Sequence, residues 1–418
     1  MRIAQMAPLW ELVPPATYGG TELVVHLLTE EMVRQGHEVT LFAAKGSRTS
    51  AKLVECAPVA LRQMDESLKR DKTHCTVMSY ELAMLQTVYS QAHQFDVIHN
   101  HVGFQALPFA NFVPTPTVTT LHNALDPLPV KELFYKNAHL PFISISDYQQ
   151  KLWPDLNYAD TIYHGINLAT FEPCYEVEGK GYLVFLGRLS PEKGPQHAVR
   201  VAKELGMPLK MAGKIDRVDQ VFYDQEIAPF VDGEQIQYIG EVNHEQKVTL
   251  LRGAAATLCP VQWPEPFGLV MIESMACGTP VFALRDGSIP EVIDTEVTGH
   301  VADTVEEMIA AVRDWQQYDR RLVRQMTERR FSVQRMVKDH LRVYGELMEK
   351  PSLKKMWGSE KEGLAMSSGR TGLLDHQRLT PSQVAAAKYA AELKRNGNTM
   401  LRLNSERNRL DYYPDAIS

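Results

Sequence analysis

Short apolar runs alternate with longer amphipathic stretches along most of this chain, and no other feature constrains its fold as strongly. In the first unit, residues 2–6 predict a strand, residues 21–35 predict a helix with leucines on one face, and Gly36 ends that helix before a strand that begins at Glu38. Strands that alternate with helices are typical of a parallel sheet covered by helices. The expected fold class is therefore α/β.

The alternation occurs in two series, which predicts two doubly wound domains. A length of 418 residues also exceeds what one hydrophobic core usually serves. Further strands of the first series are expected at residues 96–99, 116–121, 142–145 and 161–163. Those of the second series, which begins near Tyr182, are expected in the segments YLVFLG, PLKMAG, IQYIG, ATLCPV and PVFAL.

We expect a first domain at residues 1–170, a second domain at residues 171–331, and a helix at about 332–350 that packs back against the first domain. Ligands of open α/β sheets bind beyond the carboxyl ends of the strands. The substrate site is therefore expected in a cleft between two facing sheets.

Residues 351–418 differ in character from the rest of the chain. Residues 351–376 are rich in glycine, serine and charged residues, which predicts a linker. The segment TPSQ at 380–383 then supplies a helix N-cap, a proline at the first helical position and a capping-box partner, and an alanine-rich helix is expected from there to Asn396. We expect this mildly basic tail to serve packing or homo-oligomerisation.

Charge and cysteine usage narrow the function classes. The formal net charge of −7 disfavours a nucleic-acid partner, because neutralising phosphates usually requires a basic surface. The five cysteines are scattered without CxxC spacing, which predicts reduced thiols in a cytoplasmic protein. The start of the chain lacks a signal-peptide pattern and no run of 18 apolar residues predicts a membrane span, while peripheral membrane contact stays open.

The strongest chemical signal is the segment EPFGLVMIE at residues 265–273. Because a proline-containing loop precedes a helical pattern, the backbone N–H groups of Gly268, Leu269 and Val270 are expected at a helix N-terminus, which attracts phosphate. Glu265 lies ahead of this helix and Glu273 about two turns into it. Two carboxylates can form an acid/base pair across a glycosidic bond or contact different parts of one ligand, and this spacing does not itself place them on opposite faces.

This segment and the SMACGTPV that follows it resemble the retaining GT-B glycosyltransferases of family 4, whose signature is two glutamates separated by seven residues. The segment GSIPEVI at 287–293 resembles a further motif of that family, and the resemblance covers residues 1–349. It implies two Rossmann-like domains that face a cleft. It also implies that Glu265 contacts the transferred sugar, that Glu273 contacts the nucleotide ribose, and that Phe267 lies in the donor site.

Two cations follow another predicted strand, in the segment GRLSPEKG at residues 187–194. Arg188 and Lys193 would stabilise negative charge on a departing diphosphate, and their spacing is similar to the G-R-x-x-x-x-K-G motif of the family. Asp216 and Asp219 are spaced D-x-x-D rather than D-x-D, so a divalent ion on the diphosphate is not indicated. We expect neither a metal nor a cofactor.

The first domain offers a glycine loop and a histidine. Gly19 and Gly20 precede the first helix, where a backbone can approach an anionic ligand closely, and their position matches the Gly-Gly loop of the family. His122 follows the strand expected at 116–121 and resembles the histidine of the family's T-x-H segment, which lies beside the donor sugar. We interpret His99 and His101 as acceptor-side or structural residues.

One position departs from the family pattern. Where the family commonly has N-G-[VI]-[DN], this chain has His164 before Gly165, so the contact usually made by the asparagine is lost or replaced.

The expected function is retaining transfer of a hexose from a UDP-, GDP- or ADP-linked sugar to a small-molecule, glycan or lipid-linked acceptor. Two alternatives stay open on the sequence. A nucleotide-sugar epimerase of the same architecture would carry acid/base carboxylates in the cleft, and a catalytically silent nucleotide-sugar-binding scaffold would use its tail for assembly.

Overall fold

The computed structural model describes residues 1–16, 19–64, 74–123 and 128–349. Its strands form two separate sheets of seven and six strands, and every strand pair in both is parallel. The α/β class and the two doubly wound sheets predicted from the sequence are therefore confirmed.

The first sheet has the strand order β3-β2-β1-β4-β5-β6-β7. Its strands are β1 (Arg2–Met6), β2 (Glu38–Ala44), β3 (Lys52–Ala57), β4 (Val97–Asn100), β5 (Thr117–Thr120), β6 (Phe142–Ser144) and β7 (Tyr158–Thr161). The helices of this half are α1 (Gly20–Arg34), α2 (His74–Ser90), α3 (Leu107–Ala110), α4 (Leu128–Lys136) and α5 (Asp147–Leu152).

The second sheet has the strand order β10-β9-β8-β11-β12-β13. Its strands are β8 (Leu183–Leu186), β9 (Leu209–Ala212), β10 (Ile236–Tyr238), β11 (Ala256–Cys259), β12 (Val281–Leu284) and β13 (Gly299–Ala302). The helices that follow in sequence are α6 (Pro195–Leu205), α7 (Gln220–Phe222), α8 (His244–Arg252), α9 (Leu269–Ala276), α10 (Ile289–Val292), α11 (Val305–Arg313), α12 (Arg320–Phe331) and α13 (Val333–Glu349).

Helix α13 returns from the second half of the chain to the first sheet. Its apolar face, which includes Met336 and Tyr344, is buried against strand residues such as Ile3 and Val97. The two connections between the halves run side by side, because the backbone N–H of Ile166 donates to the Phe331 carbonyl and that of Val333 donates to the Ile166 carbonyl. A side chain at Gly165 would lie 2.5 Å from the Ser332 carbonyl oxygen, so this close approach requires glycine.

Each sheet reverses its winding direction at one point, and these points locate the site. The reversal lies between β1 and β4 in the first sheet and between β8 and β11 in the second. Crevices at such points, beyond the carboxyl ends of the strands, are where open α/β sheets bind ligands.

The structure corrects one strand prediction and adds two strands. The strand expected at 161–163 is β7 at Tyr158–Thr161 instead, because the Tyr163 ring leaves the sheet to pack against the rings of Phe267 and Phe331. Strands β3 and β13 were not predicted. Both are edge strands, and edge positions do not need the continuous apolar run by which buried strands are recognised.

Within the described ranges, no helix is both long enough and apolar enough to cross a bilayer. The linker and helix predicted after residue 350 lie outside the described residues.

Candidate active site

A cavity of about 280 Å³ lies between the two halves of the chain, at the carboxyl ends of their strands. The first half contributes Gly20, His122 and His164 to its wall. The second half contributes the residues that follow β8 and β11, which are Arg188, Lys193, Trp263, Glu265, Phe267, Gly268, Leu269 and Val270. The cavity therefore brings together site residues that the sequence places more than 240 positions apart.

Arg188 follows the end of β8 and is surrounded by carboxylates. Its Nη2 atom donates to Glu192 at 2.7 Å, and its Nη1 atom lies 3.7 Å from Asp216 and 3.9 Å from Asp219. Burial, together with the charge of Glu192, raises the pKa of Asp219. An anionic ligand that reaches Arg188 must therefore compete with these acidic side chains for its guanidinium group.

Lys193 and Glu265 form a direct ion pair on the cavity wall. The Lys193 Nζ atom lies 2.6 Å from a carboxylate oxygen of Glu265, and the indole N–H of Trp263 donates to the same oxygen at 3.0 Å. The ammonium group also lies 4.8 Å from the centre of the Trp263 ring, within the range of a cation–π contact. Glu265 is thus held in one orientation by two donors.

Glycines allow the loops around Lys193 and Glu265 to lie this close to neighbouring backbone. Gly194 has φ +73°, and a side chain there would lie 2.0 Å from the Pro260 carbonyl oxygen. Gly287 has φ +52°, and a side chain there would lie 2.3 Å from the backbone oxygen of Glu265. Both positions combine a left-handed backbone with a contact that excludes a Cβ atom.

Helix α9 begins at the cavity, as predicted. Gly268 precedes it in a left-handed conformation with φ +81°, and Leu269 and Val270 form the start of its first turn. The N–H groups of a first turn have no partner within their helix, and they carry the positive end of its dipole. This wall of the cavity is therefore suited to a phosphate group.

Glu273 does not lie on the cavity wall. It is buried in the second turn of α9, with 3% of its side chain exposed, and one carboxylate oxygen lies 2.5 Å from the Nζ atom of Lys247. A ligand reaches this carboxylate only by extending beyond the cavity toward α8.

The glycine loop of the first half contributes Gly20 but not Gly19 to the cavity wall. Gly19 has φ +140°, and a side chain there would lie 2.9 Å from Pro15, so packing within the loop explains this glycine. Glu22 lies beneath the loop, 5% exposed, and burial raises the pKa of its carboxyl group to about 7.

His122 lies on the cavity wall and belongs to a cluster of histidines that extends into the first half of the molecule. Its Nε2 atom lies 2.8 Å from Nδ1 of His101, its ring stacks on that of His164 at 5.4 Å, and the His164 ring meets the edge of Phe267 at 4.9 Å. Burial lowers the pKa of His122 to about 3 and the pKa values of His101 and His164 well below the ordinary range. These imidazoles are therefore neutral at physiological pH.

The replacement of asparagine by His164 thus brings a second imidazole to the cavity. His101, by contrast, is buried behind His122. His99 is fully buried further inside, and neither of these two side chains lies on the cavity wall. Among the described residues, no group of histidines, cysteines and carboxylates could hold a metal ion.

Sequence reasoning missed two residues that donate hydrogen bonds to the predicted glutamates, Trp263 to Glu265 and Lys247 to Glu273. Trp263 precedes Glu265 by two positions, and its proximity was a usable signal. Lys247 lies 26 positions before Glu273 and becomes its neighbour only because α8 and α9 pack together, so no local pattern could have found it.

Two family models match the chain in succession. Residues 171–332 match the model described as glycosyl transferases group 1, and residues 18–169 match the model of glycosyltransferase family 4. Among curated relatives, the glycogen synthase of Mycobacterium tuberculosis strain H37Rv is 26% identical over 353 residues, which cover 72% of this chain and 81% of the relative. The D-inositol 3-phosphate glycosyltransferase of Pseudarthrobacter chlorophenolicus is 23% identical over 334 residues, or 68% of this chain and 78% of the relative.

Solved structures share the architecture. The sucrose-phosphate synthase of Thermosynechococcus elongatus superimposes with a TM-score of 0.69 at 18% identity, over 84% of this chain and 100% of that one. Anabaena HepE in complex with UDP and glucose gives a TM-score of 0.62 at 19% identity, over 82% and 99% of the two chains. At this level of identity the likeness establishes the GT-B fold.

The family models account for both halves of the molecule and join at the crossing between its two sheets. Because they span residues 18–169 and 171–332, the chain belongs to glycosyltransferase family 4, and it is a GT-B glycosyltransferase that uses a nucleotide-sugar donor.

Proposed function

We propose that this protein transfers a hexose from a nucleotide-diphosphate sugar to an acceptor with retention of anomeric configuration and without a metal ion. One observation carries the proposal: Arg188, the Lys193–Glu265 pair and the N-terminus of α9 all face one cavity. Positive charge for a diphosphate and a carboxylate for a sugar are thus available side by side.

The diphosphate would lie against Arg188, Lys193 and the first turn of α9. Charge that develops on the departing phosphate is stabilised there by donors that are already in place, which lowers the barrier without reorganisation. Arg188 and Lys193 each have a carboxylate partner in the free protein, so binding of the diphosphate exchanges those contacts for contacts to phosphate oxygens.

Glu265 would hold the transferred sugar, and His122 would contact the same sugar from the first half of the chain. Glu273 would bind the ribose beyond the cavity wall, beside Lys247. No side chain is assigned as a covalent nucleophile, and the acceptor proton would pass to a phosphate oxygen of the departing diphosphate. The protein then contributes positioning and charge stabilisation.

The cavity argues against the epimerase alternative. Of the described residues that line it, Glu265 is the only carboxylate, and that group is paired with Lys193. An acid/base pair of carboxylates, which an epimerase of this architecture would need, is not found on this wall.

A donor panel tests the reaction without knowledge of the acceptor. UDP-glucose, GDP-mannose and ADP-glucose are added separately, and thermal stabilisation and slow hydrolysis are followed. We expect one nucleotide to raise the midpoint of thermal unfolding and to be released from its sugar. If none of the three stabilises the protein or is hydrolysed, the panel is extended to other nucleotide sugars, and failure of all of them contradicts the proposal. With an acceptor in hand, proton NMR of the product distinguishes retention from inversion.

Two glutamate variants separate the proposed roles. Glu265→Ala should chiefly lower turnover, whereas Glu273→Ala should chiefly weaken nucleotide binding. Glu245→Ala removes an exposed glutamate of α8 and is the matched control. Unchanged activity and unchanged affinity in both site variants would remove the assignment.

The domain limits at residues 170 and 331 and the role of the tail are also proposals. Deletion of residues 351–418 should leave donor binding intact and alter the oligomeric state. Loss of donor binding in a folded truncated protein would show instead that the tail belongs to the site.

A further inference from the structure

A continuous chain of hydrogen bonds runs from His122 at the cavity to helix α13 on the far side of the first sheet. His122 Nε2 lies 2.8 Å from His101 Nδ1, and His101 Nε2 lies 2.8 Å from the Oε1 atom of Gln5. The amide nitrogen of Gln5 lies 3.4 Å from the hydroxyl oxygen of Tyr344, which in turn lies 2.6 Å from His99 Nδ1. Gln5, His99, His101 and Tyr344 are all at most 4% exposed.

The hydrogen bonds of such a chain can be donated in either of two directions, and the orientation of the Gln5 amide group decides between them. In one sense the amide N–H group of Gln5 faces Tyr344, and Oε1 accepts from His101. In the other sense the amide is reversed. The atom on the Tyr344 side also lies 3.4 Å from the sulfur of Met32. A thioether sulfur is a weak acceptor and never a donor, so an N–H group fits there and a carbonyl oxygen does not.

The protonation of each ring follows from this orientation of Gln5. Because Oε1 can only accept, His101 carries its proton on Nε2, and its Nδ1 atom is an acceptor. His122 must then donate to it from Nε2–H, since a neutral imidazole has one donor and one acceptor nitrogen. The Nδ1 atom of His122 is left with a lone pair, and no residue within the described ranges hydrogen-bonds to it.

We propose that His101 and Gln5 are positioning residues, which hold His122 as the Nε2–H tautomer so that its Nδ1 atom accepts a hydrogen bond from a sugar hydroxyl group in the cavity. This inference rests on the proposed function in one respect, namely that the cavity holds the donor sugar. His101, which is buried behind His122, would thereby affect the reaction without contacting the substrate.

The surroundings of the hydrogen-bonded histidines keep their imidazoles neutral. The titratable groups that face His101 and His122 are His99, His164 and His340, together with the Tyr344 hydroxyl, and the charge of Arg335 reaches His164. All of these imidazoles have lowered pKa values. Within the described part of the chain, the carboxylate that acts on one of them is that of Asp339, which raises the pKa of His340, and Glu265 lies with His122 on the cavity wall. Among the described residues, no group near His101 therefore favours its protonated form over the neutral form.

Two matched variants of His101 test the positioning role by activity. His101→Asn places a carbonyl oxygen where Nδ1 stood and still accepts from His122. His101→Gln reaches toward Gln5 instead and leaves the Nε2–H group of His122 without a partner. With UDP-glucose, GDP-mannose or ADP-glucose, whichever the protein hydrolyses, we expect kcat/KM to fall at least about tenfold in His101→Gln, and most of that loss to be recovered in His101→Asn. Equal losses in two folded variants would overturn the proposal.

A pH profile adds a readout that packing alone would not move. In Gln5→Glu the carboxylate favours a protonated His101, whose Nδ1–H then points at His122 and reverses its tautomer. The acid limb of kcat/KM should therefore move to higher pH by at least about one unit relative to the unaltered protein. An unmoved acid limb contradicts the proposal.

The decisive experiment needs no substrate. Long-range proton–nitrogen correlation spectra of the full chain with ¹⁵N-labelled histidine distinguish the two tautomers, and the His122→Gln spectrum assigns the His122 signals. We expect the Nε2–H form in the unaltered protein and in His101→Asn, and a changed population in His101→Gln. An Nδ1–H form in the unaltered protein would overturn the inference. Because this result is independent of any donor, failure of the proposed function in the donor panel would be recognised separately.

Discussion

The ion pair between Lys247 and Glu273 makes a quantitative prediction about the donor half of the site. The Glu273 side chain is 3% exposed and that of Lys247 is 18% exposed, and their charged atoms are 2.5 Å apart. Replacing Lys247 with methionine keeps the length of the side chain but leaves a buried carboxylate without its partner. Breaking a buried pair in this way costs about 3–5 kcal/mol, so Lys247→Met should lower the free energy of unfolding by that amount.

A double-mutant cycle separates the lost pair from lost packing. Glu273→Gln added to Lys247→Met removes the second charge, and replacement of both charges in a buried pair is often neutral, so the double variant should recover all but about 1 kcal/mol. Urea unfolding at pH 7.5 gives the free energies from the midpoints and slopes. The double variant should nevertheless bind the nucleotide weakly, because the proposed ribose contact is gone. A loss below about 1 kcal/mol in Lys247→Met, or no recovery in the double variant, would refute the reasoning.

Three further predictions concern the buried side chains of His340 and Glu22 and the half-buried Glu291. Burial lowers the pKa of His340 from 6.5 to about 4. Because the unfolded chain binds this proton at a higher pH than the folded protein does, the free energy of unfolding falls as the pH drops below 6.5. In urea unfolding, His340→Leu should therefore lose about 2–3 kcal/mol less stability than the unaltered protein between pH 7 and pH 4.5. Burial raises the pKa of Glu22 from 4.5 to about 7, so its effect on stability has the opposite pH dependence. The free energy of unfolding falls as the pH rises from 4.5 to 7, and Glu22→Gln should lose about 3 kcal/mol less than the unaltered protein over that range. Parallel pH curves for the variant and the unaltered protein would contradict this prediction. Glu291 accepts from the backbone N–H groups of Asp147 and Tyr148 at 2.7 and 2.6 Å, and these bonds join the two halves of the chain. Glu291→Gln should lower the free energy of unfolding by about 1–3 kcal/mol. An unchanged urea midpoint would show that these bonds contribute nothing to stability.

Much of the site was predictable because its parts are local in sequence. The turn before α9 and the loop after β8 are short segments in which residue spacing fixes the relation of glycine, cation and carboxylate. The parallel order of the strands then places the ends of β8 and β11 side by side, which brings Lys193 to Glu265. Local motifs and the general rule on strand ends were enough for this part.

The remaining contacts depend on which elements become neighbours. The bond between His101 and His122 requires β4 and β5 to be adjacent, and the chain from Gln5 to Tyr344 joins residues 339 positions apart through the return of α13. Edge strands β3 and β13 were missed because their residues lack a continuous apolar run. These features follow from tertiary packing, which a local pattern does not encode.

Calorimetric titration of UDP, GDP and ADP into the unaltered protein, Lys193→Met and Lys52→Met tests the central claim most directly. Lys193 lies on the cavity wall, whereas Lys52 is an exposed residue of the edge strand β3 and serves as the control. We predict that at least one of the three nucleotides binds, that Lys193→Met weakens its affinity at least about tenfold, and that Lys52→Met leaves it unchanged. Binding that is equally tight in Lys193→Met, or no binding of any nucleoside diphosphate to the unaltered protein, would contradict the assignment of this cavity as the donor site.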